Sequence, residues 1–284
     1  MKLLGIVTLY HPQRFVENLS SYVEGLDGLY IWDNTPEGDT SFSLPAAMES
    51  KVVHVRRGAN VGIGQALNAA ATYALHHGYT HLLTMDQDSC FRGNSFLDYI
   101  HRIEEDVDPT HMAYVPLINR SSEEEEMKEV SGMIVSGTIF PTTTFRDAGL
   151  FNEAFVIDAI DTEYALRIHR QGGKIMQVAV GRLQHELGQP LRKRFLCWHP
   201  VSLNYSPLRT YYIARNFLYL SKKYPEFHRP ELLWKLVWER PFYILCLETG
   251  KRKKLKALLI GIWQGLRGDL AHDRYFHQLN ALKR

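Results

Sequence analysis

Four short apolar runs, each closed by polar or turn-forming residues, organise the first third of this chain. Leu3-Leu4-Gly5-Ile6-Val7-Thr8-Leu9 is almost continuously apolar, the pattern of a strand buried on both faces, and His11-Pro12 ends it. Phe15, Val16, Leu19, Tyr22 and Val23 then recur at helical spacing. Leu29-Tyr30-Ile31-Trp32 is a second strand, stopped by the turn chemistry of Asp33-Asn34-Thr35-Pro36. Lys51 to Val55 is a third, and the polar, glycine-rich loop Arg56 to Gly64 leads from it into a helix predicted over Gln65 to His77. The fourth, Tyr79 to Thr84, delivers Met85-Asp86-Gln87-Asp88-Ser89. This alternation predicts a parallel α/β sheet, whose polar strand ends share one rim. Such rims are where open α/β sheets hold ligands.

Further on, Phe96, Tyr99, Ile100 and Ile103 predict a helix, Met112 to Leu117 a strand, and Glu123 to Glu126 an exposed acidic loop before the run Gly132 to Phe140. Phe145 to Ala148 is a short helix ended by Gly149. Phe155-Val156-Ile157-Asp158-Ala159-Ile160-Asp161-Thr162-Glu163 runs into a helix closed by Gln171-Gly172-Gly173. Lys174 to Val180 is a strand, followed by Gln184-His185-Glu186-Leu187-Gly188. From about Ser206 the chain becomes rich in Leu, Trp, Tyr and Arg, and three helices are expected. The expected fold class is α/β, a mostly parallel central sheet flanked by helices in residues 1–205, with a helical segment, 206–284, packed on it.

At 284 residues with 45% hydrophobic and 23% charged content, a substantial core is available. The net charge of +2 gives no support for a nucleic-acid partner. Three scattered cysteines, Cys90, Cys197 and Cys246, fit neither a disulfide framework nor a zinc site, which points to a reducing, cytoplasmic setting. The N-terminal apolar run is too short for a signal-peptide core, and no stretch has the length of a membrane span. Basic clusters lie at Arg192-Lys193-Arg194 and Lys251-Arg252-Lys253-Lys254. The second precedes Leu258, Leu259, Ile260, Ile262, Trp263 and Leu266, so residues 251–268 read either as a helix on a membrane surface or as a core-facing helix with a solvated end.

Several residues carry candidate chemistry. Asp86 and Asp88 are hard oxygen donors one residue apart, suited to a divalent cation that also holds a diphosphate. His185 can add a third ligand, more typical of Mn²⁺ than of Mg²⁺. Asp33 and Asn34 offer hydrogen bonds to a base or ribose, or simply cap a turn. The loop around Gly58, Gly62 and Gly64 lacks both the dinucleotide fingerprint and the P-loop lysine. Asp161 and Glu163 open a helix, where a carboxylate serves as an N-terminal cap or as a general base, and Glu163 stands four residues before Arg167.

The order and spacing of these pieces are more specific than any one of them. Val7-Thr8-Leu9-Tyr10-His11-Pro12, Trp32-Asp33-Asn34-Thr35, Asn60 to Asn68, Met85 to Ser89, Phe155 to Arg167 and His185-Glu186-Leu187-Gly188 resemble glycosyltransferase family 2 over roughly residues 1 to 220. Asp86-Gln87-Asp88-Ser89, His185 to Gly188 and Pro207-Leu208-Arg209-Thr210-Tyr211-Tyr212-Ile213-Ala214-Arg215-Asn216 resemble its bacterial rhamnosyltransferases most. The resemblance implies a GT-A fold, a nucleotide-sugar donor with dTDP-rhamnose favoured, and Mg²⁺ or Mn²⁺. It implies that Thr8 and Tyr10 flank the nucleobase and that Asp33, with Asn34, bonds to it. Asn60, Gly62 and Asn68 then shape the nucleotide pocket, Asp86 and Gln87 contact the donor, and Asp88 and His185 ligate the metal. Asp161 matches the catalytic base, although the family's usual Glu-Asp pair reads Ile160-Asp161 here. Arg209, Tyr212 and Arg215 are candidates for holding donor or acceptor phosphates.

The expected reaction is a single displacement with inversion, transferring a sugar to a saccharide or lipid-linked saccharide in cell-surface polysaccharide synthesis. It needs no glycosidase-style second carboxylate. A UDP- or GDP-sugar donor and a non-catalytic sugar-nucleotide-binding role are the alternatives, and homo-oligomerisation stays open. A nucleotidyltransferase would carry a Gly-rich, basic loop after the first strand, which Thr8 to Pro12 is not. A Ca²⁺ module needs a denser carboxylate loop than Asp86 to Ser89 supplies.

Overall fold

The computed structural model describes residues 1–36, 44, 49, 51–120, 126–185, 191–192, 201–268 and 270. Most of the acidic run, Lys193-Arg194, Cys197 and Glu186-Leu187-Gly188 lie outside these residues. The chain divides into two compact units, Met1–Glu153 with Ile160–Glu186, and Ala154–Ala159 with Leu187–Arg284.

The first unit is built on a sheet that, among the described residues, contains nine strands. Its parallel nucleus has the spatial order β3 (Val52–Arg56), β2 (Gly28–Asp33), β1 (Leu3–Leu9) and β4 (His81–Asp86). The apolar runs of β1 and β2 are buried almost throughout, as their uninterrupted hydrophobic pattern requires. The fifth strand is β5 (Ser89–Phe91) and the sixth β6 (His111–Ile118). They are followed by β7 (Met127–Val130), β8 (Thr138–Pro141) and the long β9 (Lys174–His185). Beyond β4 the strands run both ways: β8 is antiparallel to β4 and β6, β9 parallel to β6, and β5 and β7 antiparallel to β9.

The unit's helices are α1 (Phe15–Leu19), α2 (Ile63–His76), α3 (Ser95–Glu104), α4 (Thr144–Asp147) and α5 (Ile160–Arg170). Helix α2 buries Ala66, Ala70, Ala71 and Ala74, small side chains that let it lie close to its neighbours. One apolar core joins Leu3, Val7, Ile31, Leu83 and Met85 of the parallel strands to Phe96, Tyr99, Ile139 and Val178. A second aromatic group, Phe140, Phe145, Phe151 and Tyr164, ties α4 and α5 to β8. Each such side chain contributes about 1.5–3 kcal/mol when removed from water.

Among the described residues the second unit holds four α-helices where the sequence predicts three. Helix α6 (Pro207–Lys223) is capped by Ser206, whose Oγ accepts the Arg209 N–H at 3.2 Å, with Pro207 in the first turn. Next come α7 (Pro230–Trp234), a π-helical turn (Lys235–Glu239), α8 (Arg240–Cys246) and α9 (Lys251–Arg267). Helix α9 lies against α6 through glycine. A Cβ at Gly261 would stand 2.5 Å from the Tyr211 carbonyl oxygen, and one at Gly265 2.7 Å from that of Arg215. Ala214, Leu218, Leu236, Ile244 and Leu258 form this unit's apolar centre. Among the described residues no helix is long and apolar enough to cross a membrane.

Candidate functional site

The parallel register puts the polar strand ends side by side: Thr8 lies opposite Asp86, Leu9 opposite Asp33, and Asp33 opposite Arg56. Across this rim Gln87 works as a clasp. Its Oε1 accepts the Tyr10 N–H at 2.8 Å and its Nε2 donates to the Tyr10 carbonyl at 3.0 Å. Asn18 Nδ2 donates to the Gln87 carbonyl at 2.8 Å. The Asp86–Asp88 turn is therefore tied to the exit of β1 and to α1.

The antiparallel pairing of β5 with β9 sets Ser89 directly opposite His185, ninety-six residues away in sequence. This brings ligand atoms of Asp86, Asp88 and His185 within 4.8 Å of one another. Atoms around one octahedral cation at about 2.1 Å stand roughly 3 to 4.2 Å apart, so the cluster has the size of a divalent-cation site. Two carboxylates and an imidazole also fit Mg²⁺ or Mn²⁺ chemically. The His185 Nδ1 is 3.5 Å from Asp88 Oδ1 and 2.8 Å from Ser89 Oγ. Behind it, Ser136 Oγ donates to Ser89 Oγ at 2.8 Å and accepts the Asp86 N–H at 3.1 Å. Asn119 grips the His185 backbone in both directions, accepting its N–H at 3.0 Å and donating to its carbonyl at 2.8 Å. Ser89 Oγ, within hydrogen-bond distance of His185 Nδ1, holds the orientation of the imidazole. Tyr22 is buried in the apolar core, and burial first, then the Asp86 carboxylate, push its phenol pKa up and keep it neutral.

The residues expected around the nucleotide fall into two groups. Thr8 is half-buried and Tyr10 exposed at the rim. Asp33 is buried, its Oδ1 accepting the Thr35 N–H at 2.8 Å and its Oδ2 3.6 Å from Arg56 Nε. Asn34, by contrast, clasps the glycine loop. Its Oδ1 accepts from Trp32 Nε1 at 2.9 Å and from the Val61 N–H at 3.3 Å, while Nδ2 donates to the Gly62 carbonyl at 3.2 Å. Asn60 Oδ1 accepts the Gly62 N–H at 3.0 Å, and Gly62 takes φ +89° at the entry to α2, a left-handed position that favours glycine. Asn68 Oδ1 accepts the Phe151 N–H at 2.8 Å, and its Nδ2 donates to the Phe151 carbonyl and to Glu153, each at 2.9 Å. Asn34, Asn60 and Asn68 thus shape the loop and the segment after Phe151.

Asp161 lies in the first turn of α5, half-buried, with Oδ1 accepting the Thr162 N–H at 2.7 Å. Its neighbour Glu163 is engaged by Arg167 at 2.9 Å, the i,i+4 pair read from the sequence. The two residues before α5, Asp158 and Ala159, both have positive φ, +60° and +65°. For residues with a Cβ these are costly conformations that surrounding contacts must hold.

Those contacts come from within the second unit. Arg209 binds Asp158 through Nε, 3.1 Å from each carboxylate oxygen, and Nη2 at 3.0 Å. Burial pushes the Asp158 pKa up, with Arg209 opposing. Asn216 Nδ2 donates to the carbonyls of Ile157 at 2.9 Å and Asp158 at 2.8 Å, and Arg215 Nη2 donates to that of Ala154 at 2.5 Å. Tyr212 and Arg215 are fully buried, with the guanidinium 4.7 Å from the ring centroid. The Pro207–Asn216 motif therefore grips the chain just ahead of Asp161. Sequence patterns gave no signal for Asn18, Asn119, Ser136 or Asn216 in these roles, since each acts on a partner remote in sequence.

No family model matches the chain. Its sequence is 26% identical to dTDP-rhamnosyl transferase RfbF of Shigella flexneri, over 95% of this chain and 97% of that protein. Among solved structures, S. aureus TarS 1-349 in complex with UDP-GlcNAc superposes with TM-score 0.55 at 15% identity, over 100% of this chain and 93% of that one. GalNAc-T7 with UDP, GalNAc and Mn²⁺ superposes with TM-score 0.52 at 16% identity, over 80% of this chain and 51% of that one, so the match spans about half of that protein. The chain thus has the GT-A fold of these structures, and over nearly its whole length its sequence is similar to that of a dTDP-rhamnosyl transferase.

Proposed function

We propose that this chain is an inverting glycosyltransferase that moves L-rhamnose from dTDP-rhamnose to a hydroxyl of a saccharide or lipid-linked saccharide, in cell-surface polysaccharide synthesis at the cytoplasmic side. The observation that carries the reading is the Asp86–Asp88–His185 cluster on the rim of a nucleotide-sugar transferase fold. The near-full-length similarity to a dTDP-rhamnosyl transferase supports the donor.

In this reading the rim groups Thr8, Tyr10 and Asp33 receive the nucleotide, and Asp86 faces the donor. Asp88 and His185 would hold a divalent cation, Mg²⁺ or Mn²⁺, which supplies charge neutralisation for the leaving diphosphate. Asp161 accepts the proton of the acceptor hydroxyl as its oxygen attacks the anomeric carbon from the face opposite the diphosphate. One bond forms as one breaks, so the sugar inverts. Arg209, Arg215 and Asn216 hold residues 154–158, the stretch of chain that leads to Asp161.

A donor panel of dTDP-rhamnose, UDP-sugars and GDP-sugars, with and without Mn²⁺ or Mg²⁺, tests the donor assignment. Asp161→Asn tests the base: transfer is expected to fall by about 10² to 10⁴-fold with donor binding and melting temperature retained. Near-normal transfer by the folded variant would remove Asp161 from this role.

A further inference from the structure

The second unit carries exposed apolar surface. Helix α9 faces the core of its unit along one side and carries exposed apolar residues along the other. One face buries Ala257, Leu258, Gly261 and Gly265, while the opposite face exposes Leu259, Trp263 and Leu266. These three continue the row begun by Arg252 and Lys256, at steps of three and four residues, so one outward stripe runs from cationic to apolar. The preceding helical segment, 230–246, shares the same apolar centre through Leu236 and Ile244. It too turns aromatic residues outward: Trp234 and Trp238 are 64% and 62% exposed, their ring centroids 5.8 Å apart, and Leu245 is half exposed. Scattered exposed apolar residues are ordinary, but three tryptophans on two adjoining helices are not.

Charge narrows the choice of occupant. Every charged side chain of α9 is cationic: Lys251, Arg252, Lys253, Lys254, Lys256 and Arg267. Segment 230–246 is balanced, Glu231 and Glu239 against Lys235 and Arg240. A helix whose charged side chains are all cationic is complemented by an anionic surface rather than by a neutral one. Tryptophan and leucine beside lysine and arginine, on a helix too short and polar to cross a bilayer, match an interfacial helix on an anionic lipid surface.

We infer that α9 and segment 230–246 form a docking face for an anionic membrane, with Trp234, Trp238 and Trp263 at headgroup depth and the exposed Arg252 and Lys256 on lipid phosphates, while Lys254 is held inside by Glu248. This docking stands apart from the donor assignment. The test is sedimentation of the full-length chain with vesicles of phosphatidylcholine alone or of equimolar phosphatidylcholine and phosphatidylglycerol, at low and high salt. Binding to the anionic vesicles only, weakened by salt, is expected. Arg252→Ser and Lys256→Ser should each weaken partitioning about five-fold. Trp234→Ser/Trp238→Ser/Trp263→Ser should leave the chain in the supernatant with an unchanged melting temperature, and Trp263→Ser alone serves if the triple variant unfolds. The inference is overturned if the wild type ignores anionic vesicles, or if the tryptophan and cation variants bind as it does. It is equally overturned if ultracentrifugation shows a dimer that the Trp263→Ser variant abolishes while vesicle binding is absent.

Discussion

Ser89→Ala removes a single oxygen from beneath the Asp86–Asp88–His185 cluster and leaves all three candidate ligands in place. Ser89 is fully buried, its Oγ 2.8 Å from His185 Nδ1 and 2.8 Å from the Ser136 hydroxyl that donates to it. Without it, one ring nitrogen of His185 and the Ser136 hydroxyl lose a partner where water does not readily replace it. Each loss of that kind costs about 1–3 kcal/mol. The share falling on the imidazole governs metal affinity, and loss of such an outer partner typically weakens binding about 10 to 100-fold. That is about 1.4–2.7 kcal/mol at 1.36 kcal/mol per decade, within the range set by the lost hydrogen bond. The assay is titration of the donor-free protein with Mn²⁺, read by calorimetry or by the paramagnetic resonance of free ion. Asp88→Ala marks the effect of losing a ligand outright. A Ser89→Ala dissociation constant within two-fold of wild type, with Asp88→Ala strongly weakened, would refute the idea that Ser89 orients His185.

Two further expectations concern stability. In the second unit Glu248 is buried, accepting from Lys254 at 2.8 Å, from Ser202 at 2.5 Å and from Arg240. Glu248→Gln leaves two cations without their carboxylate and should cost about 3–5 kcal/mol in denaturant unfolding; a change under 1 kcal/mol would show the pairs to be incidental. Burial pushes the Glu248 pKa up, but the hydrogen bonds from Lys254, Ser202 and Arg240 outweigh it and hold the carboxyl below its ordinary value. Its stabilisation is therefore present above the unfolded pKa and lost as pH falls through the folded one. His81, half-buried at the start of β4, has its pKa lowered by burial from 6.5 to about 4. Between those values the unfolded chain binds more protons than the folded one, so stability should decline as pH falls, by up to about 3 kcal/mol. Unfolding measured across that window should show the slope in the wild type and a shallower one in His81→Gln; equal slopes would remove His81 as the cause.

The sequence alone determined the parallel nucleus, because β1, β2 and β4 are apolar runs whose ends are marked locally by proline, asparagine and glycine. It determined the candidate carboxylates as well, since Asp33, Asp86, Asp88 and Asp161 each sit at the boundary of an element that periodicity can locate. It determined the Glu163–Arg167 pair by helical spacing. Tertiary structure decided what lies between such elements. The three-residue β5 is too short to show a period, yet its pairing with β9 is what seats His185 on Asp88 and Ser89. Ser136 and Asn119 reach the same place from other strands. In the same way Arg209 and Arg215, basic residues expected at a phosphate, fold onto Asp158 and the Ala154 carbonyl within their own unit. Helical spacing could show that α9 has an apolar face, but only packing against Tyr211 and Arg215 through Gly261 and Gly265 decided which face stays outside. Local periodicity fixes which side chains share a face; which face meets which partner is set by contacts between residues far apart in the chain.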